Sequence, residues 1–223
     1  MSVAYRLSRA LLRWFFLTFT HYHVSGLENV PEHGPLIVVM NHIHMLDSLA
    51  AMVTLPWQVT VFAANKWRRT PIGLLLGAWG AIFIRRGQVD RQALRKAVAL
   101  LQKGGIFGLA PEGTRSRTYQ LQPARAGVAY LAYLSQAPLL PIGVSGVEHS
   151  LRALLRLRRA HVTVTIGKPF TLPASTTGRR PHTDELVAMA DDVMRHIAAL
   201  LPPQYWGAYA PGHVIVERPS PEN

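Results

Sequence analysis

At 223 residues, 49% of them hydrophobic, the chain has the size and apolar content of one domain with a substantial core. Cysteine is absent, which excludes disulfides, thiolate metal sites and cysteine nucleophiles. A formal net charge of +12 and a pI near 10.9 point to polyanionic partners: nucleic acid, anionic lipid headgroups or phosphorylated small molecules.

No apolar run reaches the ~18 to 20 uncharged residues that span a bilayer. At 100° per residue, Arg6, Arg9 and Arg13 share one face of an N-terminal helix, with Leu11 and Phe15 opposite and Trp14, Phe16, Leu17 and Phe19 adding bulk. Such a helix suits a membrane interface, or else packs on the domain's own core. Arg13 interrupts the apolar stretch and no small-x-small site follows near Thr20 to Val24, which argues against a signal peptide. The expected organisation is an amphipathic helix over residues 1–24, a catalytic domain over 25–212 and a loosely held tail over 213–223.

Pro35 to Met40 is a short, continuously apolar run, the pattern of a strand buried on both faces. A helix is expected from Asp47 to Leu55, capped by Asp47 and Ser48 and stopped by Pro56. Further helices are expected over Lys66 to Trp79, Val89 to Gln102, Ala126 to Ser135 and Asp184 to Leu201, the last stopped by Pro202-Pro203. Strands are expected at Ala81 to Ile84, Ile106 to Leu109, Leu139 to Val144, into which Pro141 breaks, and Val162 to Ile166. Alternation of such runs predicts an α/β single domain with a mostly parallel central sheet covered by helices on both faces.

Three polar groups follow expected strand ends: His42 with Asp47, Arg85 with Arg86, and Glu112-Gly113-Thr114-Arg115. In open α/β sheets ligands bind beyond the carboxyl ends of the strands, so the three are expected to share one crevice. A histidine is suited to take a proton from an alcohol near neutral pH, and a carboxylate on its other ring nitrogen fixes the tautomer. Four residues between His42 and Asp47 let the loop turn back. Two alternatives use the same residues: His42 as a satisfied histidine with Asp47 as a helix cap, or His42, His44 and Asp47 as metal ligands.

The Arg85-Arg86 pair fits a phosphate clamp through paired charge-assisted hydrogen bonds, or a solvated basic turn. The Glu112 to Arg117 turn gathers backbone amides, hydroxyls and arginines in a form suited to anions. Glu112 is out of place there unless it orients the arginines or bonds a substrate hydroxyl. No nucleophile elbow, Walker loop, dinucleotide glycine pattern or zinc-protease histidine pair is present.

In this order, Asn41-His42 with Asp47, Phe83-Ile84-Arg85-Arg86, Pro111 to Ser116 and Leu140-Pro141-Ile142-Gly143 resemble the four motif blocks of the glycerolipid acyltransferases, the family of 1-acylglycerol-3-phosphate O-acyltransferases. The resemblance runs from about Pro35 to Gly167-Lys168-Pro169. It implies an O-acyltransferase that moves an acyl group from acyl-CoA or acyl carrier protein to a lysophospholipid acceptor. His42 is then the catalytic base and Asp47 its orienting carboxylate. Arg85, Arg86, Glu112, Gly113, Thr114, Arg115 and Arg125 fall to substrate binding. Arg85 stands where the family often has an acidic residue and Ala110 where it often has phenylalanine, which leaves the acceptor headgroup open to another lysophospholipid or an amino-acid-derived lipid.

No metal and no cofactor is called for, since an alcohol attacks a thioester with only a base and donors for the oxyanion. An anionic membrane surface is the expected partner of the cationic surplus, at about 1 kcal/mol per basic residue near the surface, and the expected location is the cytoplasmic face of a membrane. Leu151 to Arg159 is a second candidate contact, or an ordinary surface helix. A nucleic-acid partner is not expected, because such a reading leaves His42 and Glu112 without a role.

Overall fold

A computed structural model describes residues 3–84, 90–173 and 181–213. The helices of more than one turn are α1 (Val3–Phe19), α2 (Leu46–Thr54), α3 (Pro71–Ala78), α4 (Arg91–Gln102), α5 (Gly127–Ser135), α6 (Ser150–Leu155) and α7 (Thr183–Ala198). Between them run the strands β1 (Thr20–Ser25), β2 (Leu36–Met40), β3 (Thr60–Ala64), β4 (Ile82–Ile84), β5 (Ile106–Leu109), β6 (Leu139–Ser145) and β7 (Ala160–Ile166). They form one sheet in the order β1-β7-β6-β2-β5-β3-β4. Every pairing is parallel except β6 with β7. This is the expected α/β architecture with a mostly parallel sheet.

β2 lies centrally, and all five of its residues are buried, as are all seven of β6. Burial on both faces explains why these strands read as unbroken apolar runs rather than alternating ones. Helices α4, α5 and α7 pack together as one group and α1, α2 and α3 as another. Pro141 does not break β6. It falls between the isolated bridge Leu139↔Phe170 and the β7 ladder, which begins at Ile142, so its missing N–H removes no rung.

The N-terminal helix is shorter than expected and differently oriented. It ends at Phe19, and the next six residues enter the sheet as β1, paired with β7 from Thr20↔Ala160 to Ser25↔Thr165. Tyr5 and Phe16 are wholly buried; the Tyr5 hydroxyl donates to Trp57 O at 3.0 Å and its ring meets Trp79 edge-on at 4.9 Å. Arg9 is half-buried: it donates to Val53 O at 3.3 Å and Leu55 O at 2.5 Å, the open carbonyls at the end of α2. The outward face instead carries Val3, Leu7, Leu11, Trp14 and Leu17, each at least half exposed. No helix among the described residues is long and apolar enough to cross a membrane.

Two other expectations shift. The segment from Lys66 begins as a single 3-10 turn, and the α-helix starts only at Pro71, with Thr70 accepting the Gly73 N–H at 3.1 Å. Proline at the first helical position with threonine before it is the stronger start signal. α2 begins one residue earlier than expected and its flanking residue, Met45, makes no side-chain cap; Asp47 lies inside the first turn and is used elsewhere.

Candidate active site

The site is assembled where β2, β5 and β6 end side by side. β2 stops pairing with β6 after Met40↔Ile142, and the Asn41 side chain takes over. Its Nδ2 donates to Val144 O and its Oδ1 accepts the Val144 N–H, both at 2.8 Å, in a buried environment. A side-chain amide thus imitates one further rung of the ladder while the main chain turns away. His42 emerges from that turn.

The main chain of His42 is held on both sides. Its N–H donates to Glu112 Oε1 at 2.9 Å and its carbonyl accepts the Ser116 N–H at 2.8 Å. Glu112 is wholly buried, and its other oxygen accepts the Gln122 N–H at 3.1 Å. The carboxylate therefore ties the loop after β5 to the loop after β2. β2 and β5 are parallel neighbours, so their carboxyl ends fall together without further folding.

The His42 ring faces Asp47 through Nδ1, 3.5 Å from Oδ2. Nδ1 is buried while the side chain as a whole is 19% exposed, which leaves Nε2 as the nitrogen able to meet a substrate. Asp47 Oδ2 also accepts the His44 N–H at 2.6 Å, and that bond fixes the carboxylate against the bend of the loop. Burial pushes the Asp47 carboxyl above the usual carboxylate range; the His42 side chain and the His44 and Ile43 amides oppose that shift. Asp47 is thus a positioned partner of the imidazole rather than a helix cap. His44 Nδ1 accepts the Leu46 N–H at 3.3 Å, so its ring serves its own loop. Among the described residues no group of three or more histidines and carboxylates is placed to hold a metal ion.

Beyond Glu112 the chain makes a tight turn. Gly113 has φ +70° and donates to Ala110 O at 3.0 Å. Arg125 donates its N–H to Pro111 O at 2.9 Å and lays its side chain over Gly113, where an added Cβ would stand 2.8 Å from Arg125 Cδ. Arg115 and Arg125 are exposed, Thr114 is half-buried, and neither arginine forms an ion pair among the described residues. Gly113, Thr114, Arg115 and Arg125 are therefore brought together next to His42. Arg85 and Arg86 come after β4 in the chain and lie outside the described residues.

The sequence alone gives no task to Asn41 or to the backbone amides of Ser116 and Gln122. A polar residue directly after a buried strand was the available signal for Asn41. Nothing in the sequence marks the two amides, because any residue supplies an N–H.

A histidine backed by a buried carboxylate, at the carboxyl edge of a parallel sheet and near arginines that form no ion pair among the described residues, is an arrangement suited to taking a proton from a hydroxyl beside an anionic group. The family model described as Acyltransferase matches residues 21–145, more than half of the chain and inclusive of His42, Asp47, Glu112 and the turn that follows. The chain belongs to the glycerolipid acyltransferase family. It is 31% identical over 195 residues to the 1-acyl-sn-glycerol-3-phosphate acyltransferase alpha of Mus musculus, covering 83% of this chain and 65% of that protein. It is 29% identical over 122 residues to the 1-acyl-sn-glycerol-3-phosphate acyltransferase of Borreliella burgdorferi, covering 53% and 49%. The chain thus spans between about half and two thirds of the length of these two curated relatives. The corresponding protein of Bacillus subtilis is 26% identical over 183 residues, with 79% and 86% covered. The crystal structure of the 1-acyl-sn-glycerophosphate acyltransferase PlsC from Thermotoga maritima shares the fold, with a TM-score of 0.65 at 22% identity over 88% of this chain and 76% of that one.

Proposed function

We propose that the protein is an O-acyltransferase that transfers a fatty acyl group from acyl-CoA or acyl carrier protein to the free hydroxyl of 1-acylglycerol-3-phosphate, giving phosphatidic acid in phospholipid biosynthesis. The observation that carries this reading is the Glu112 carboxylate bonded to the His42 amide, because it fixes the arginine-bearing turn beside a histidine already backed by Asp47. The names of the relatives support the acceptor.

In this mechanism the acceptor phosphate lies against Arg115, Arg125 and the Gly113-Thr114 amides, with Arg85 and Arg86 as further contacts. His42 Nε2 takes the proton of the acceptor hydroxyl as its oxygen attacks the thioester carbonyl, and Asp47 stabilises the imidazolium that forms. The tetrahedral oxyanion collapses with cleavage of the carbon–sulfur bond, and the thiolate takes the proton from Nε2 and leaves as the thiol. Glu112 acts through the backbone rather than on the acceptor. The outward stripe of α1, with exposed Arg6 and Arg13, meets an anionic membrane where such acceptors gather.

The test is a panel of lysophospholipids incubated with labelled acyl-CoA or acyl carrier protein thioester and read by lipid mass. The expected product is phosphatidic acid, with turnover lowered by at least about two orders of magnitude in His42→Ala. Near-normal turnover in that variant would overturn the mechanism, and transfer only to other lysophospholipids would overturn the acceptor.

A further inference from the structure

The edge of the sheet that carries His42 also carries the connection from β6 to β7. β6 ends at Ser145, paired with Thr163 of the antiparallel β7, so α6 and the turn before Ala160 lie at the carboxyl edge of β2. That turn is attached to the end of α1, because Arg159 donates to Leu17 O at 2.5 Å and to Thr20 O at 2.6 Å.

The composition of the turn is unusual for a surface. Leu151, Leu155 and Leu157 are 63%, 78% and 96% exposed. Arg152, Arg156 and Arg158 stand between them, also exposed, and no acidic residue occurs from Ser150 to Thr183. Leucines that serve no core of their own, alternating with arginines, match an interface whose depth is apolar and whose surface is anionic.

The backbone adds an independent observation. α6 ends in a paired-bond cap in which the Leu157 N–H reaches Leu154 O at 3.0 Å and the Arg158 N–H reaches Ala153 O at 2.8 Å. The residue at the left-handed position of this cap is Leu157, with φ +53°, where glycine is the ordinary occupant. A strained position that glycine would relax is thus held by a leucine that is almost wholly exposed. Folding alone gives no reason for that choice. Two more exposed apolar residues, Met45 at 55% and Tyr119 at 46%, sit on the loops that follow β2 and β5 at the same edge.

We propose that the α6–β7 tip, Leu151 to Arg158, inserts into an anionic bilayer and seats the catalytic edge on the membrane, as a second contact besides α1. This rests on the membrane reading given above. It places the His42 crevice where an acceptor reaches it without leaving the lipid surface.

The test uses the full chain. Since it has no cysteine, Leu157→Cys is a unique attachment point for a polarity-sensitive fluorophore, and Leu27→Cys, 53% exposed near the opposite end of β1, is the control. With vesicles of equal parts phosphatidylglycerol and phosphatidylcholine, the label at 157 is expected to shift to the blue and the label at 27 is not; pure phosphatidylcholine should give a smaller shift. A bound protein whose label at 157 stays in water overturns the proposal. So does a shift produced by duplex DNA, or by raising protein concentration without vesicles, which would assign the tip to nucleic acid or to a second copy.

The paired variant Leu157→Gly with Leu155→Gln separates insertion from folding, because glycine relaxes the cap. It is expected to keep or raise the thermal midpoint, keep turnover of a dissolved short-chain acceptor, and lose about tenfold or more of both vesicle affinity and turnover of a vesicle-borne acceptor. Equal loss on both acceptors, or on neither, overturns the proposal. The fluorescence result is independent of acyl transfer, so failure of the enzymatic reading and failure of this one are told apart.

Discussion

The Glu112 carboxylate accepts the backbone N–H of His42 at 2.9 Å, so the residue that opens the glycine- and arginine-bearing turn is the same one that fixes the main chain of the histidine proposed as the base. Both oxygens of this buried carboxylate serve backbone amides. Glu112→Ala takes the carboxylate acceptor from two part-buried amides and is expected to cost about 2–5 kcal/mol of stability. Glu112→Gln, which keeps one acceptor and turns an amide donor on the other N–H, is expected to lower kcat at least about tenfold. Steady-state kinetics beside thermal unfolding check this: a rise in acceptor KM with unchanged kcat would show that Glu112 touches the acceptor instead.

Asp47 is predicted to hold function at the expense of stability. Its folded pKa is raised by burial, so the neutral carboxyl suits the fold better than the carboxylate. A group raised in this way contributes stability that is present below its unfolded pKa and lost as pH rises through its folded pKa. Asp47→Asn keeps an acceptor for the His44 N–H and has no charge to bury. It is expected to unfold at the same or a higher temperature than the natural protein at neutral pH, with the difference shrinking as pH falls toward the carboxylate range. Turnover is expected to fall by about two to four orders of magnitude. A lower midpoint for the asparagine variant at neutral pH would refute the assignment.

Gly113→Ala places a side chain at φ +70° and 2.8 Å from Arg125 Cδ. The strain is expected to cost about 1–2 kcal/mol, and displacement of Arg125 is expected to raise acceptor KM about tenfold with donor KM unchanged. The same acceptor selectivity is expected for Arg115→Ala. An effect confined to the donor would remove the phosphate assignment from this turn.

α1 is predicted to have two separable faces. Tyr5→Ala removes a buried ring together with its bond to Trp57 O and its contact with Trp79, and is expected to destabilise by about 3–5 kcal/mol. Leu11→Ser, at a position 64% exposed, is expected to change stability by less than about 0.5 kcal/mol and to weaken binding to anionic vesicles. Calorimetry and vesicle flotation on the two variants check this; loss of stability in Leu11→Ser would mean that the outward stripe is part of the core.

The sequence by itself determined β2, β5 and the helices α4 and α7 to within a residue or two at most boundaries, because strands buried on both faces are continuously apolar and the helices carry strong periodicity and stop signals. It also placed His42, Asp47 and the Glu112 turn after strand ends, and a parallel sheet necessarily sets such ends on one edge. His21 and His23 alternate with Tyr22 and Val24 in the pattern of a strand, but directly after an amphipathic helix so short a run reads equally as its continuation. The tertiary structure alone decided that β7 runs against β6, that Arg9 bonds the carbonyls at the end of α2, and that both Glu112 oxygens meet backbone amides. Strand order and burial arise from contacts between residues far apart in the chain. A side chain's identity states which bonds it is able to make, and only the neighbours that folding supplies select one of them.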